Sequence, residues 1–517
     1  MTLPLKYPLG IQTFSEIREE NYLYVDKTAL IYDLVSSGKV WFLSRPRRFG
    51  KSLLVSTLEA LFSGQTTLFE GLLITKTDYD FTEYPVIILE FSSVDVSHAD
   101  DLKQYIINAI DDHASDYGVT LERDSYDQRF AELVRKLHQK TEKKVVLLVD
   151  EYDKPILDNL LTEALKPIKT VMSRFYSVVK SLDKHLRFVF ITGVSKFSKV
   201  SIFSGMNSLT DISMDRQYAT ICGITQQQLE AHFPVAIDQL STVEQLDRSA
   251  MLAKIKHWYN GYRFHHLAMG VYNPYSLLSL FRHQEFKNYW FATGTPTFLL
   301  DLLQTKEYDL NKLTEFAIGA NAFEAADPQK MSIQSVFVQT GYLTIKSYNN
   351  SLYSLDFPNY EVKTAFYDSV ATHYSHLEEG EGQNYISRLV ESLNTGDLED
   401  FFATLGIFFA NIPYELNVDM EKYYQSLFYA VFTLIGLSID AEVHTNKGRI
   451  DCVLQTGDTI YVIEFKLNDT KEAALQQIHD KQYAQKYLNS GKKIILLGVE
   501  FDQASRNIGE FVQEFLS

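Results

Sequence analysis

Apolar runs and helical spacings alternate along the first part of the chain, and the alternation predicts a sheet covered by helices. Lys39–Leu43 is apolar enough for a buried strand, and Leu54, Leu58 and Leu61 then fall on one helical face. Pro85–Ser92, Lys144–Val149, Arg187–Thr192 and the short run Tyr218–Cys222 predict four more strands. Between them Ala99–Tyr117, Ser125–Lys140 and Lys154–Leu182 carry helical spacing. Strands separated by helices imply a parallel sheet with both faces covered. Ligands of such sheets sit beyond the carboxyl ends of the strands.

The pattern changes after Ile224. Thr225–Phe281 is largely helical, broken at Asn260-Gly261 and Asn273-Pro274 where turn residues interrupt it. Val336–Lys346 and Leu352–Leu355 are two β-patterned runs joined at Asn349-Asn350-Ser351, which predicts a hairpin. With the helices before it, the hairpin reads as a winged-helix-like module. Such a module can bind DNA or act as a spacer, and the lack of a basic run nearby favours the spacer. Near the end, a helix over Met420–Gly436 leads into strands at Ser438–Val443, Gly448–Leu454 and Thr459–Lys466. A helix with Ala474, Gln477 and Lys481 on one face follows. The divisions are 1–224, 225–281, 282–412 and 413–517.

The first chemistry sits just after the first strand. Ser44-Arg45-Pro46-Arg47-Arg48-Phe49-Gly50-Lys51-Ser52 stands between a strand and a helix N-terminus, which is an anion site. Gly50 lets backbone N–H groups approach phosphates, Lys51 offers an ammonium, and Ser52 offers a hydroxyl for Mg²⁺. Arg45 stands where the usual pattern has its first glycine. Lys144–Val149 ends in Asp150 and Glu151, the form of an acid pair that holds the metal's water shell and polarises an attacking water. Two readings of Thr192 stand side by side, as a γ-phosphate sensor at a strand end and as a turn residue.

A second constellation lies in the last hundred residues. Glu464 and Lys466 are two apart on one strand and so share a face. Asp451, across the Thr456-Gly457-Asp458 turn, can meet them there. Two carboxylates and the Phe465 carbonyl suit a hard cation, with Lys466 beside the attacking water. A plain salt bridge on the strand face is the competing reading.

Six stretches together resemble a known family: Tyr24–Thr28, Arg45–Leu53, Asp150–Asp153, Ile191–Ser198, Trp258–Tyr262 and Asn273–Ser276. They are similar to AAA-ATPase-like proteins common in Bacteroidetes and related anaerobes, which typically carry a C-terminal PD-(D/E)xK nuclease-superfamily domain. The resemblance implies an α/β fold: a P-loop (ASCE/AAA-like) parallel sheet with a helical lid, the winged-helix-like spacer, and a nuclease-like α/β domain. It implies ATP and Mg²⁺ at Arg45, Pro46, Arg47, Arg48, Phe49, Gly50, Lys51, Ser52, Asp150 and Thr192, with Glu151 catalytic. It implies a nuclease centre of Asp451, Glu464 and Lys466, with Mn²⁺ as an alternative metal. Glu421 would be the acid of the first helix, with Glu442 ranked below it, and Gln477 would face the substrate with Lys481. Tyr24–Thr28 would border the base, or else begin a helix with Asp26 at its cap. Arg216 and Arg263 are candidates for sensor arginines. Nucleic acid, DNA or RNA, is the implied substrate, and such relatives often assemble into homo-oligomers.

Composition narrows this only at the margins. A chain of 517 residues exceeds one core. With 45% hydrophobic and 22% charged residues it reads as an ordinary globular protein. A net charge of −17 argues against coating of nucleic acid by the overall field, so any such contact must be local. Two cysteines, Cys222 and Cys452, support neither a disulfide framework nor a thiolate metal cluster. No apolar run suggests a membrane span and Met1–Gly10 lacks a signal-peptide core, so a cytoplasmic location is expected. Two functions fit: an ATP-binding, ATP-hydrolysing protein coupled to a metal-dependent nuclease, and an NTP-dependent switch whose last domain only binds nucleic acid or a protein.

Overall fold

The computed structural model describes residues 6–160, 162–196, 202–203, 206, 208–290, 297–306, 308–310, 312–324, 332–375, 381–410, 420–438, 440–446, 449–467, 469–502 and 507–516. Two compact units emerge, 1–290 with 317–360, and 291–316 with 361–517.

The first unit is built on an all-parallel sheet of β1 (Val40–Ser44), β2 (Val86–Glu90), β3 (Val145–Asp150), β4 (Leu186–Gly193) and β5 (Thr210–Asp211), in the order β2-β3-β4-β1-β5. β1 and β3 are buried at every residue, as continuous apolar runs covered on both faces must be. The helix Ala99–Asp116 buries Leu102, Ile106, Ile110 and Ala114, a one-sided spacing that lays it on the sheet. Helices Tyr126–Thr141 and Leu165–Ser181 join the same core through Phe130, Val134, Met172 and Phe175. β4 lies between β1 and β3, so the tips of those three strands, Ser44, Asp150 and Gly193, lie at one edge of the sheet.

β2 is an edge strand, and side chains cover its outer polar groups. The Tyr117 hydroxyl meets the N–H and C=O of Val86 at 2.8 and 3.3 Å, and His113 Nε2 meets those of Ile88 at 3.1 and 2.9 Å. The Tyr105 hydroxyl donates to the Glu90 carbonyl. Left open, such an edge is a template for pairing with another chain.

Two strand expectations need correction. Tyr218–Cys222 is a series of turns, and the fifth strand is Thr210–Asp211, paired with Trp41 and Phe42. The carbonyls of Tyr218 and Thr220 accept from two cations, the buried Arg45 and the half-buried Lys27, rather than from a ladder. Val336–Thr340 is helical: the helix Ile333–Thr340 is capped by Ser332 Oγ and closed by Gly341 at φ +94°. A short apolar run cannot be told from a buried helical turn by periodicity alone. The hairpin itself is present as β7 (Thr344–Asn349) and β8 (Leu352–Asp356), with β6 (Ile318–Gly319) completing a small sheet. Four helices between Gln226 and His283 pack around Leu229, Phe233, Ile237, Ile255 and Leu277.

The second unit holds a mixed sheet of β9 (Asp440–Asn446), β10 (Arg449–Gln455), β11 (Thr459–Leu467), β12 (Lys493–Asp502) and β13 (Asn507–Leu516), ordered β13-β12-β11-β10-β9. Only β11 and β12 run parallel, joined through the helix Lys471–Lys481. That helix covers one face, with Ile478 packed against Ile460, Val462 and Leu496. The helix Met420–Ser438 covers the other, with Phe428 and Phe432 against Phe465. No helix among the described residues is long and apolar enough to cross a membrane.

Candidate functional sites

In the first unit β1 ends at Ser44, a six-residue turn follows, and the helix Lys51–Phe62 begins. Gly50 is its N-cap at φ +86°, a left-handed conformation that L side chains rarely adopt. Helix N–H groups and the dipole therefore face the end of the sheet. Lys51 is buried, its ammonium donating to the Pro46 carbonyl at 3.2 Å. The Ser52 hydroxyl lies beside Asp150 at the tip of β3. Burial pushes the Asp150 carboxyl up from its ordinary range, while the nearby Ser52 hydroxyl and the Lys51 charge hold it back. Glu151 follows at φ +51°, a rare state for a non-glycine residue. Thr192 is fully buried at the end of the intervening strand, and its hydroxyl has no hydrogen-bond partner among the described residues. Lys51, Ser52, Asp150 and Thr192 are thus brought to one strand edge. The arrangement fits a phosphate chain and a hard cation: oxygen donors, one ammonium and an unspent hydroxyl.

The loop residues separate into docked and open ones. Arg45 is 1% exposed and its guanidinium donates to the carbonyls of Ser44, Ser213 and Tyr218 at 2.8, 2.7 and 3.1 Å. It also lies 3.9 Å over the Phe264 ring. Its charge thereby ties the loop to the 213–218 segment, and burial lowers its pKa to about 10. Pro46 is buried against Gly341, Arg48 lies 3.7 Å over the Tyr275 ring, and Phe49 packs edge-on to Tyr262 and Phe264. Arg47 alone in the run has an exposed side chain. Arg263 donates to the Lys346 carbonyl at 2.8 Å, and Arg216 is exposed.

Beside Gly50 opens a recess of about 100 Å³, lined among others by Tyr24, Val25, Lys27, Ile224 and Phe233. Lys27 reaches the Thr220 carbonyl and Gln228 Oε1, both at 2.8 Å, and burial lowers its pKa to about 8. Asp26 accepts from the Thr28 N–H and hydroxyl. Tyr24 and Val25 thus line the recess, and Asp26 bonds the first residue of the helix Thr28–Ser37, whose N-cap is Lys27.

Asp153 was not among the expected site residues. It is 1% exposed and accepts from Val194 N, Ser195 N and Ser195 Oγ at 3.1, 2.6 and 2.5 Å. These bonds fasten the turn after β3 to the tip of β4, while burial raises the carboxyl. A third acid, three residues after Asp150, is the available signal. Phe197 and Ser198 lie outside the described residues.

In the second unit Asp451 pairs directly with Glu464 across β10 and β11, which puts both on one face of the sheet. The side chains of Asp451, Glu421 and Glu442 lie outside the described residues. Glu464 is fully buried and accepts from Gln477 Nε2, while Gln477 Oε1 accepts from Lys466 Nζ. One amide therefore bridges the acid and the amine of the E-x-K strand. Lys481, one turn on, is exposed. Gly498, paired with Glu464 on β12, lets the helix that carries Gln477 approach: a Cβ there would stand 2.2 Å from the Lys471 carbonyl oxygen. A buried carboxylate with a polar escort and a facing acid in register suits a divalent cation.

Residues 8–203 match the family described as predicted AAA-ATPases, and residues 419–511 match the PD-(D/E)XK nuclease superfamily. A protein of Azotobacter chroococcum mcd 1, named only as an uncharacterized protein in the vnfD 5' region, is 40% identical over 528 residues, covering 99% of each chain. With a relative matched from end to end and both domain types in their expected places, the chain belongs to the family of AAA-ATPase-like proteins with a C-terminal PD-(D/E)XK nuclease-superfamily domain.

Proposed function

We propose that the first unit binds and hydrolyses ATP with Mg²⁺, and that the second is a metal-dependent nuclease whose cutting of DNA or RNA depends on the nucleotide. The meeting of Ser52 and Asp150 at the strand tips, beside a buried Lys51 and an unspent Thr192 hydroxyl, carries the first half. The recess that includes Tyr24, Val25 and Phe233 would take the base, its walls being largely apolar. Bound Mg²⁺ offsets phosphate charge, and ATP supplies the γ-phosphoryl group. Lys51 would exchange the Pro46 carbonyl for phosphate oxygens, and Glu151 would accept a proton from water.

The Glu464–Gln477–Lys466 chain supports the second half. Asp451 and Glu464 would hold Mg²⁺ or Mn²⁺, which lowers the pKa of a bound water. Gln477 fixes the Glu464 carboxylate, and Lys466 keeps its ammonium on the same face. The experiment is cleavage of single- and double-stranded DNA and RNA with Mg²⁺ or Mn²⁺, with and without ATP, in wild type, Lys51→Ala and Lys466→Ala. Metal-dependent cleavage lost in Lys466→Ala and altered in Lys51→Ala is the expected result. ATP binding with no cutting under any condition would overturn the nuclease half and leave an NTP-dependent switch.

A further inference from the structure

A phosphate loop with only one glycine needs something outside itself to fix its shape. Arg48 sits at φ +65°, where a non-glycine residue is strained, and such a state persists only when the surroundings over-determine it. Arg45, Pro46, Arg48 and Phe49 are each docked by a side chain or a close backbone approach. Arg47 differs, because its side chain is exposed and its backbone is the part that is held. The Trp290 indole N–H donates to the Arg47 carbonyl at 3.1 Å, and Asn273 Nδ2 approaches the same oxygen at 3.5 Å.

Both donors are themselves fixed. Asn273 is fully buried, and its Oδ1 caps the helix Pro274–His283 by accepting from Tyr275 N and Ser276 N at 2.9 and 3.2 Å. Tyr275 from the same turn lies under Arg48. Trp290 is 7% exposed, with the Tyr342 and Tyr262 ring centroids 5.1 and 6.3 Å away.

We infer that Trp290 and Asn273 are positioning residues that latch the phosphate loop through the Arg47 carbonyl and so set its affinity for nucleotide. The inference rests on the nucleotide site proposed above. Trp290→Phe keeps the ring and removes the donor, and Asn273→Ser keeps a helix cap and removes the reach. Two readouts on the full chain separate the latch from the site: hydrogen exchange of the loop amides without nucleotide, and the Kd for a fluorescent ATP analogue with Mg²⁺. In Trp290→Phe the loop amides are expected to exchange faster, and the Kd to rise about threefold to tenfold, the effect of one hydrogen bond. Asn273→Ser shifts both the same way, by less, because its contact is longer. Unchanged exchange and unchanged Kd in Trp290→Phe would reduce Trp290 to packing and overturn the latch, as would a Kd rise that tracks a loss of thermal stability with unaltered loop exchange. If the wild type binds no nucleotide, the ATP assignment falls, while slow loop exchange in the wild type that Trp290→Phe accelerates still supports the latch and its absence still overturns it.

Discussion

Replacing Gly498 by alanine should disable the second site without touching any residue expected to bind metal. The added Cβ would lie 2.2 Å from the Lys471 carbonyl oxygen, 2.7 Å from Leu475 N and 3.0 Å from Leu475 Cβ. Two of these are backbone atoms in the first turns of the helix Lys471–Lys481 and cannot swing aside as a flexible side chain would. Ordinary contact begins near 3.4 Å, so the helix must retreat by about 1.2 Å or the strand must give way. Gln477 rides on that helix and bridges Glu464 and Lys466.

A retreat of that size breaks hydrogen bonds whose working range spans about 0.5 Å. Overpacking of this kind costs roughly 1–3 kcal/mol, so the second unit should still fold but melt earlier. A misplacement near 1 Å in a catalytic centre costs on the order of 10²-fold in rate. Gln477→Leu removes the bridge without the clash and should lose about 10- to 100-fold in metal affinity or rate, as loss of a carboxylate's escort does. The assay is metal-dependent cleavage at several Mn²⁺ concentrations, paired with thermal unfolding of the full chain. Gly498→Ala with wild-type cleavage and wild-type melting would refute the argument, because the helix would then have had room to spare. Early melting with full cleavage would show that Gln477 does not organise the site.

Arg45→Met should cost the first unit about 2–5 kcal/mol in denaturant unfolding, because carbonyls of Ser213 and Tyr218 lose buried donors; an unshifted transition would contradict this. Burial lowers the folded pKa of Lys27 to about 8 from an ordinary value of 10.5, so between those values the unfolded chain binds more protons and stability rises with pH. It is half-buried toward the recess, so from pH 7.5 to 9.5 wild type should gain about 1 kcal/mol relative to Lys27→Met, and a difference that is flat or falls with pH would refute it. His113→Leu combined with Tyr117→Phe uncovers the outer groups of β2, and should lower stability by roughly 2–4 kcal/mol and raise light scattering at high concentration. Scattering equal to wild type would show that the edge is guarded by something else.

The elements that could be read from the sequence are those whose pattern is itself the cause of the structure. β1 and β3 are apolar because both faces are covered, and Gly50 is glycine because its φ is positive. The pairing of Asp451 with Glu464 follows from one turn and one register. What escaped the sequence depends on capping residues outside the apolar run or on partners far away along the chain. Val336–Thr340 is helical because Ser332 and Gly341 cap it, and Tyr218–Cys222 is not a strand because Arg45 and Lys27 take its carbonyls. A carbonyl acceptor leaves no trace in a sequence, since every residue has one.

The same limit explains Arg45. In its motif it reads as a charge offered to phosphate, yet three carbonyls and the Phe264 ring enclose its guanidinium. A glycine at this position would leave the loop free to adopt many shapes, at a cost in entropy when one is fixed. A buried arginine fixes one shape before any ligand arrives, and docking of Pro46 and Phe49 extends the constraint to Gly50. Preorganisation of that kind lowers the cost of binding rather than adding a contact. The departure from a glycine-rich loop is therefore consistent with a working phosphate site, with its rigidity supplied by tertiary packing.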